Sequence, residues 1–361
     1  MASVKWNTVD INTKDGVVKG IAPVIVSASW ATDIPAFYPE WFINRLRQGY
    51  TKWINPFNGK PQYVSFDKTR VIVFWTEDAE PMIPSLKEID DRGINYYFLF
   101  TVNDYEKEGL EPKVRKLSKR IDTFRRLSER IGKDRVIWRF DPLILTDKIT
   151  VDVLLDKVYG VGNQNADYTN KLVISFADIS SYRKVKNNLN KYGVKYKEFE
   201  AESMEEVAKG LDEINRSWGM EIATCAEDID LSGYNIKRNK CIDDDLMRKV
   251  FSRDKELMNF LGYDNDRVVS DHEEITLFDS IDDKERKIPC RSTNNSNYKS
   301  GKLADKGQRK SCGCIISKDI GQYDTCAHQC LYCYANSSPR IAASNHYKYL
   351  KSGRNGESIL E

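Results

Sequence analysis

Three thiols fall within eight residues of one another, in the run Cys326-Ala-His-Gln-Cys330-Leu-Tyr-Cys333. A CxxxCxxC loop can wrap three corners of a 4Fe–4S cube and leave the fourth iron without a protein thiolate. S-adenosylmethionine can take that open position through its amino and carboxylate groups. An electron from the cluster then cleaves its carbon–sulfur bond, and the resulting 5′-deoxyadenosyl radical takes hydrogen from a substrate. The cofactor carries the chemistry, and the protein supplies position and exclusion of water. Tyr332, directly before the last cysteine, offers an aromatic face to the adenine ring. The same residues admit a zinc site. Zinc takes four tetrahedral ligands, and Cys312, Cys314, Cys326, Cys330 and Cys333 with His328 nearby supply enough donors. His328 itself reads as a loop hydrogen-bonder.

Four more cysteines need an account: Cys225, Cys241, Cys312 and Cys314. Four thiolates complete a closed cluster, so a second 4Fe–4S centre is one reading. Buried apolar cysteines, or a redox pair at Cys312 and Cys314, are the others. Cys290 lies in a basic stretch and reads as a non-ligand. The first 224 residues contain no cysteine. Clustered thiols without a secretion signal point to metal ligation in a reducing cytosol rather than to disulfides.

The elements that would position these groups are legible in the first 225 residues. Candidate strands are Val24–Ser29, Val71–Thr76, Tyr96–Thr101, Val136–Phe140, Leu172–Phe176 and Met220–Thr224, with a short run near Tyr196–Phe199. Between them, Leu117, Ile121, Phe124, Leu127 and Ile131 recur at helical spacing, as do Val207, Leu211, Ile214 and Trp218. Apolar strands separated by helices predict parallel βαβ units, and six or more predict a closed or partly closed (β/α) TIM-like barrel. The strands run into Asp33, Thr76, Thr101, Arg139, Asp141, Ser175, Asp178 and Thr224. Parallel barrels place their sites at such strand ends. Arg139 and Asp141 are therefore the catalytic candidates, and Asp33, Thr76 and Ser175 the candidates for cofactor contact.

Residues 226–283 carry 16 acidic and 8 basic side chains, with a helical pattern over Asp244–Leu261. Residues 284–310 carry nine basic and two acidic side chains among Asn, Ser and Gly. They read as a solvated linker, with phosphate or nucleic-acid contact as the functional alternative. The expected organisation is a main barrel over 1–225, an acidic helical insertion with basic linker over 226–310, and a cluster segment over 311–361 that completes the barrel. The chain is 40% hydrophobic and 30% charged, with a net charge of +2. That balance suits a globular protein and gives no argument for nucleic acid. No apolar run approaches a membrane span, and the start lacks the order of a signal peptide. The expected location is the cytoplasm.

The segments SKDIGQYDTCAHQCLYCYANSS, ATDIPAFYPEWFINRLRQGY, VIVFWTEDAEPMIPSL and RVIWRFDPLILTDK together resemble a mostly bacterial, uncharacterised family. That family has a C-terminal cysteine cluster like that of radical S-adenosylmethionine enzymes, and is similar to spore photoproduct lyase, which repairs a thymine lesion in DNA. The resemblance covers about Val24 to Ser338. It implies a radical S-adenosylmethionine barrel in which the cysteine loop follows the last strand instead of the first, as circular permutation would give. Cys314–Ser317 would then be that strand and Pro339–Leu350 the helix after the loop. It also implies an electron donor such as a flavodoxin or ferredoxin. The family tends to carry an arginine pair where this chain has Trp30 and Ala31, and a Lys or Asn pair where it has Glu77 and Asp78. Two acids beside the cluster would repel the cofactor's carboxylate, so either Arg139 holds it or this chain binds something different. The rival readings are a non-catalytic iron–sulfur sensing subunit of a larger complex and a zinc-stabilised nucleic-acid binder.

Overall fold

The computed structural model describes residues 6–263, 303–309 and 311–361. Its centre is a sheet of eight parallel strands among the described residues. In chain order these are β1 (Ile25–Ala28), β2 (Val71–Thr76), β3 (Asn95–Thr101), β4 (Val136–Leu143), β5 (Lys171–Phe176), β6 (Glu221–Thr224), β7 (Ile236–Arg238) and β8 (Lys318–Asp319). Their spatial order is β8-β1-β2-β3-β4-β5-β6-β7, so the sheet winds one way, and its last strand in sequence lies beside its first. Lys318 pairs with Val26, and Asp319 with Ser27.

The sheet does not close into a barrel. Its edge strands, β7 and β8, have three and two residues and do not pair with each other. Cys312–Ile316 leads into β8 and bonds to the segment that follows β7, with the Ile315 N–H donated to the Ile242 carbonyl at 3.2 Å. The strand expected at Cys314–Ser317 is displaced to Lys318–Asp319. Asp319 and Ser27 are there tied through side chains as well as backbone.

Alternation along each strand sorts side chains to two faces. Ile72, Phe74, Phe98, Phe100, Trp138 and Phe140 face the layer of helices. That layer includes α1 (Pro39–Gln48), α2 (Leu86–Asp91), α3 (Leu117–Ile131), α4 (Val151–Asn165) and, beyond the short α5 (Arg183–Lys191), α6 (Ala201–Asn215). In α3, Ile121, Phe124, Leu127 and Ile131 are the buried stripe, each contributing about 1.5–3 kcal/mol of burial.

Ile25, Val71, Val73, Tyr97, Leu99, Ile137 and Val173 face the other way. There they meet Met247 of α7 (Asp244–Val250), and Leu257 and Met258 of α8 (Lys255–Phe260). The described part of the acidic stretch, through Leu261, thus packs on this face of the sheet. Asp243 caps α7 by accepting from Asp245 N and Leu246 N, and Asp244 is paired to Lys240 and Arg248, which accounts for this acidic triplet.

A separate four-stranded sheet, formed by Asn7–Thr13, Gly16–Ala22, Tyr50–Ile54 and Pro61–Ser65, lies outside this frame. The last helix, α9 (Pro339–Lys351), is started by the Ser338 hydroxyl accepting from Ile341 N, with Pro339 in its first turn. Among the described residues no helix is long and apolar enough to cross a membrane. Cys290 and most of the basic stretch 284–310 lie outside the described residues.

Candidate functional site

The loop that carries Cys326, Cys330 and Cys333 leaves β8 and is fastened to the ends of β1, β2 and β3. Asp319 begins it. Its buried carboxylate accepts from Ser27 Oγ (2.9 Å), Ser29 Oγ (2.8 Å), Trp30 N (3.1 Å) and Gly321 N (2.9 Å). Gly321 is required by the close approach: a Cβ there would stand 2.0 Å from Ser29 Oγ. Further along, Tyr38 Oη donates to the Thr325 carbonyl at 2.7 Å, and Leu331 N to Leu110 O at 2.9 Å. Asn336 Nδ2 donates to Cys326 O at 2.9 Å.

Asp33 is the second anchor. One carboxylate oxygen caps the turn Ile34–Phe37 through Ala36 N (2.9 Å) and accepts from Thr76 Oγ1 (2.8 Å). The other accepts from Glu77 N (2.7 Å) and lies 2.8 Å from His328 Nε2. Asp33 and Thr76, expected to touch a cofactor, line the cavity but use these polar atoms to hold the loop. His328 is the hydrogen-bonder its sequence context suggests. Burial works against its charged ring, but the Asp33 bond and nearby Glu77 raise it to about 8.

Glu77 and Asp78 part company. Asp78 turns to Arg115 at 2.8 and 3.1 Å. Glu77 lines the cavity and receives the Cys330 thiol at 3.3 Å. Burial pushes the Glu77 carboxyl up to about 7, against the pull of His328. Burial, followed by Glu77, pushes the Cys330 thiol up as well. Tyr332 gives its hydroxyl to Glu111 Oε1 at 2.5 Å and accepts from Asn103 Nδ2 at 3.1 Å. Glu111 is in turn paired with Arg120 at 3.1 Å, both side chains almost wholly buried.

Arg139, Asp141 and Ser175 form a chain at the ends of β4 and β5. Ser175 Oγ donates to one Asp141 oxygen, and Arg139 binds the other. The remaining guanidinium arm donates to Cys241 Sγ at 3.0 Å, and the group lies over the Trp75 ring at 5.2 Å. Arg139 therefore faces Cys241 and Asp141 rather than the Cys326 loop. Burial opposes its charge, but Asp141 and the thiols of Cys241 and Cys225 outweigh that and raise it further. Sequence reasoning did not single out Asn239, whose amide donates to Cys241 Sγ at 3.2 Å, nor Asp319, whose burial only the folded chain reveals.

Both thiol groups open onto one cavity of about 770 Å³. Its lining includes Cys225, Cys241, Cys312 and Cys314 together with Cys326, Cys330 and Cys333. All seven are free of disulfides. The volume is in the range of sites that enclose a small molecule or cofactor.

A family profile described as "Domain of unknown function (DUF1848)" matches residues 25–335. The chain belongs to the DUF1848 family. The matched span runs from β1 through the cysteine loop, so the DUF1848 region contains the sheet and every thiol described above. No curated protein matches the chain. Among solved structures, a "putative alpha-L-fucosidase" from Bacteroides thetaiotaomicron is similar at 12% identity and a TM-score of 0.24, over 55% of this chain and 75% of that one. At that score the likeness carries no weight for this DUF1848 protein.

Proposed function

We propose that this protein is an iron–sulfur enzyme of the radical S-adenosylmethionine type on a permuted, incompletely closed (β/α) barrel. Cys326, Cys330 and Cys333 would hold three irons of a 4Fe–4S cluster. The observation that carries the reading is the placement of these three thiols on one tightly fastened loop, over the C-terminal ends of β1–β3, at the wall of a cofactor-sized cavity.

The Cys326 loop supplies three thiols, the count that leaves one iron of a 4Fe–4S cluster open, whereas zinc takes four ligands. His328, the zinc reading's other donor, is engaged with Asp33. When bound, the cluster supplies the electron that cleaves S-adenosylmethionine and starts hydrogen abstraction. A low-potential donor such as a flavodoxin or ferredoxin would reduce it.

The chain's own residues set the frame. Tyr332, held by Glu111 and Asn103, offers its ring to the adenine. The expected repulsion by two acids falls to one, since Arg115 neutralises Asp78. Glu77, on the wall beside Cys330, suits the cofactor's amino group. Arg139 is occupied by Asp141 and Cys241, so it is not the carboxylate's partner. The rival, a non-catalytic iron–sulfur sensing module, gains support from the same Glu77, which opposes an incoming carboxylate. A substrate related to nucleic acid, as the resemblance to spore photoproduct lyase implies, is the narrower form of the enzyme reading.

Anaerobic reconstitution followed by dithionite and S-adenosylmethionine under nitrogen tests this. Wild type should release 5′-deoxyadenosine, and Cys330→Ala should not. An intact cluster that neither binds nor cleaves S-adenosylmethionine would leave the sensing module. Stoichiometric zinc without iron would end both.

A further inference from the structure

The geometry points to a second metal centre on the same cavity: a closed iron–sulfur cluster held by Cys225, Cys241, Cys312 and Cys314, with Arg139 as its buried counter-cation. This goes beyond the proposed activity and does not depend on it, because none of the four belongs to the Cys326 loop.

The four thiols come from three separate stretches. Cys225 directly follows β6, its N–H bonded to Ile174 O at 2.9 Å. Cys241 follows β7, after Asn239 N has bonded back to Thr224 O at 2.8 Å. Cys312 and Cys314 arrive on the run that leads into β8, tied to Ile242 and Leu303 through Ile315 N and Ile316 N. They meet as a string. Cys225 Sγ lies 3.6 Å from Cys241 Sγ, and Cys314 Sγ accepts from the backbone N–H of Cys241 (3.2 Å) and of Ile242 (3.5 Å).

Apart from the other cysteines, the groups that hydrogen-bond the Cys241 and Cys314 sulfurs are donors. Two backbone N–H groups serve Cys314, and the Asn239 amide and the Arg139 guanidinium both serve Cys241. Asn239 and Arg139 are buried, at 2% and 6% exposure. Asp141 already balances the Arg139 charge, but the second guanidinium arm and the Asn239 amide are both spent on one sulfur. Thiolates bound to iron use such donors, which orient the ligands and offset their charge.

The 3.6 Å edge between Cys225 and Cys241 is one that a single zinc would also hold. Four thiolates are the full ligand count of a closed cluster, and one zinc on the same sulfurs is the outcome that would overturn it. With all four irons taken by protein, the centre has no open position, in contrast to the three-cysteine loop. The two centres divide the sheet: one stands over β1–β3, the other over β6 and β7, with Arg139 on β4 facing the second.

The test is iron and acid-labile sulfide counted per chain, with zinc, after anaerobic reconstitution of the full chain. Wild type should hold about twice the iron of either variant set, Cys326→Ala/Cys330→Ala/Cys333→Ala or Cys225→Ala/Cys241→Ala. If the Cys326 loop binds no cluster, the first set keeps all the iron and the second loses all of it, which sinks the proposed activity but upholds this centre. If the first set folds by circular dichroism yet holds no iron, or if one zinc per chain is found instead, this centre is overturned. Arg139→Gln gives a readout independent of folding losses in the cysteine variants. It should make the midpoint potential of one cluster signal more negative and leave the other unmoved. A potential unchanged in both signals would refute the role of Arg139 and with it the placement of the cluster.

Discussion

Replacing Arg120 by Met tests whether a buried ion pair holds the Cys326 loop in place. Arg120 and Glu111 are sealed from solvent, at 0% and 1% side-chain exposure, and meet at 3.1 Å. Arg120 also donates to the carbonyls of Arg115 (3.0 Å) and Asn103 (2.9 Å). Glu111 spends its other oxygen on Tyr332 and Asn103. Removing the guanidinium leaves a carboxylate buried without its cation, which costs ~3–5 kcal/mol. For 361 residues, an unfolding entropy of ~2.1 cal/mol/K per residue makes each kcal/mol worth ~1.3 °C, so the melting point should fall by ~4–7 °C. Thermal unfolding of the metal-free protein, followed by far-ultraviolet circular dichroism, reads this directly. The double variant Arg120→Met/Glu111→Gln removes the orphaned charge as well and should recover part of the loss. A single variant that melts within a degree of wild type, or a double variant whose loss is the plain sum of the two singles, would show that the pair is not coupled as argued.

Two further outcomes follow from groups beside the loop. Lys318 is held down to about 8 by burial, against the pull of Asp319. The folded state therefore binds fewer protons than the unfolded chain between about pH 8 and 10.5, and wild-type stability should climb through that window. Lys318→Met should raise the melting point at pH 7, less what is lost from the cation lying 3.3 Å over the Trp53 ring, and the advantage should shrink by pH 10. An equal gain at both pH values would contradict this. Gly321→Ala should cost roughly 1–3 kcal/mol of overpacking, because its new Cβ meets a Ser29 side chain pinned by Asp319 and Ala31 N. Adding Ser29→Gly should restore much of the urea midpoint, and no rescue would place the strain elsewhere.

The strands that carry the site could be read from sequence because each is a dense run of Val, Ile and aromatics. Val71–Thr76 has the expected bounds, and β3–β6 shift only at their ends. The edges could not. IKR and KD are three and two residues long and mostly polar, too short for a periodic signal, so a closed or partly closed barrel was expected and an open sheet is found. The outlying sheet was hidden for a related reason: strands such as NTVDINT are largely exposed and polar. The helix expected over Asp244–Leu261 is two, because Asp254 caps a new start by accepting from Leu257 N. At the site, cysteine count and spacing picked out both sets of thiols. The sequence held no sign that Glu77 and Asp78 point to different partners. Nor did it show that Arg139 reaches Cys241, 102 residues away.

The pairing of β8 with β1 has a consequence for how the chain is made. Ser27 waits for Asp319, 292 residues later. At about 5–20 residues per second, a ribosome needs ~15–60 s to cover that interval. Throughout it the β1 edge is an open template for the wrong neighbour. Cys225 and Cys241 emerge well before Cys312 and Cys314, and the Cys326 loop comes later still. If the proposed centres form, iron delivered during synthesis would meet half-built ligand sets. Slowing the arrival of the last 50 or so residues should favour aggregation, because it lengthens the time for which the β1 edge stands open.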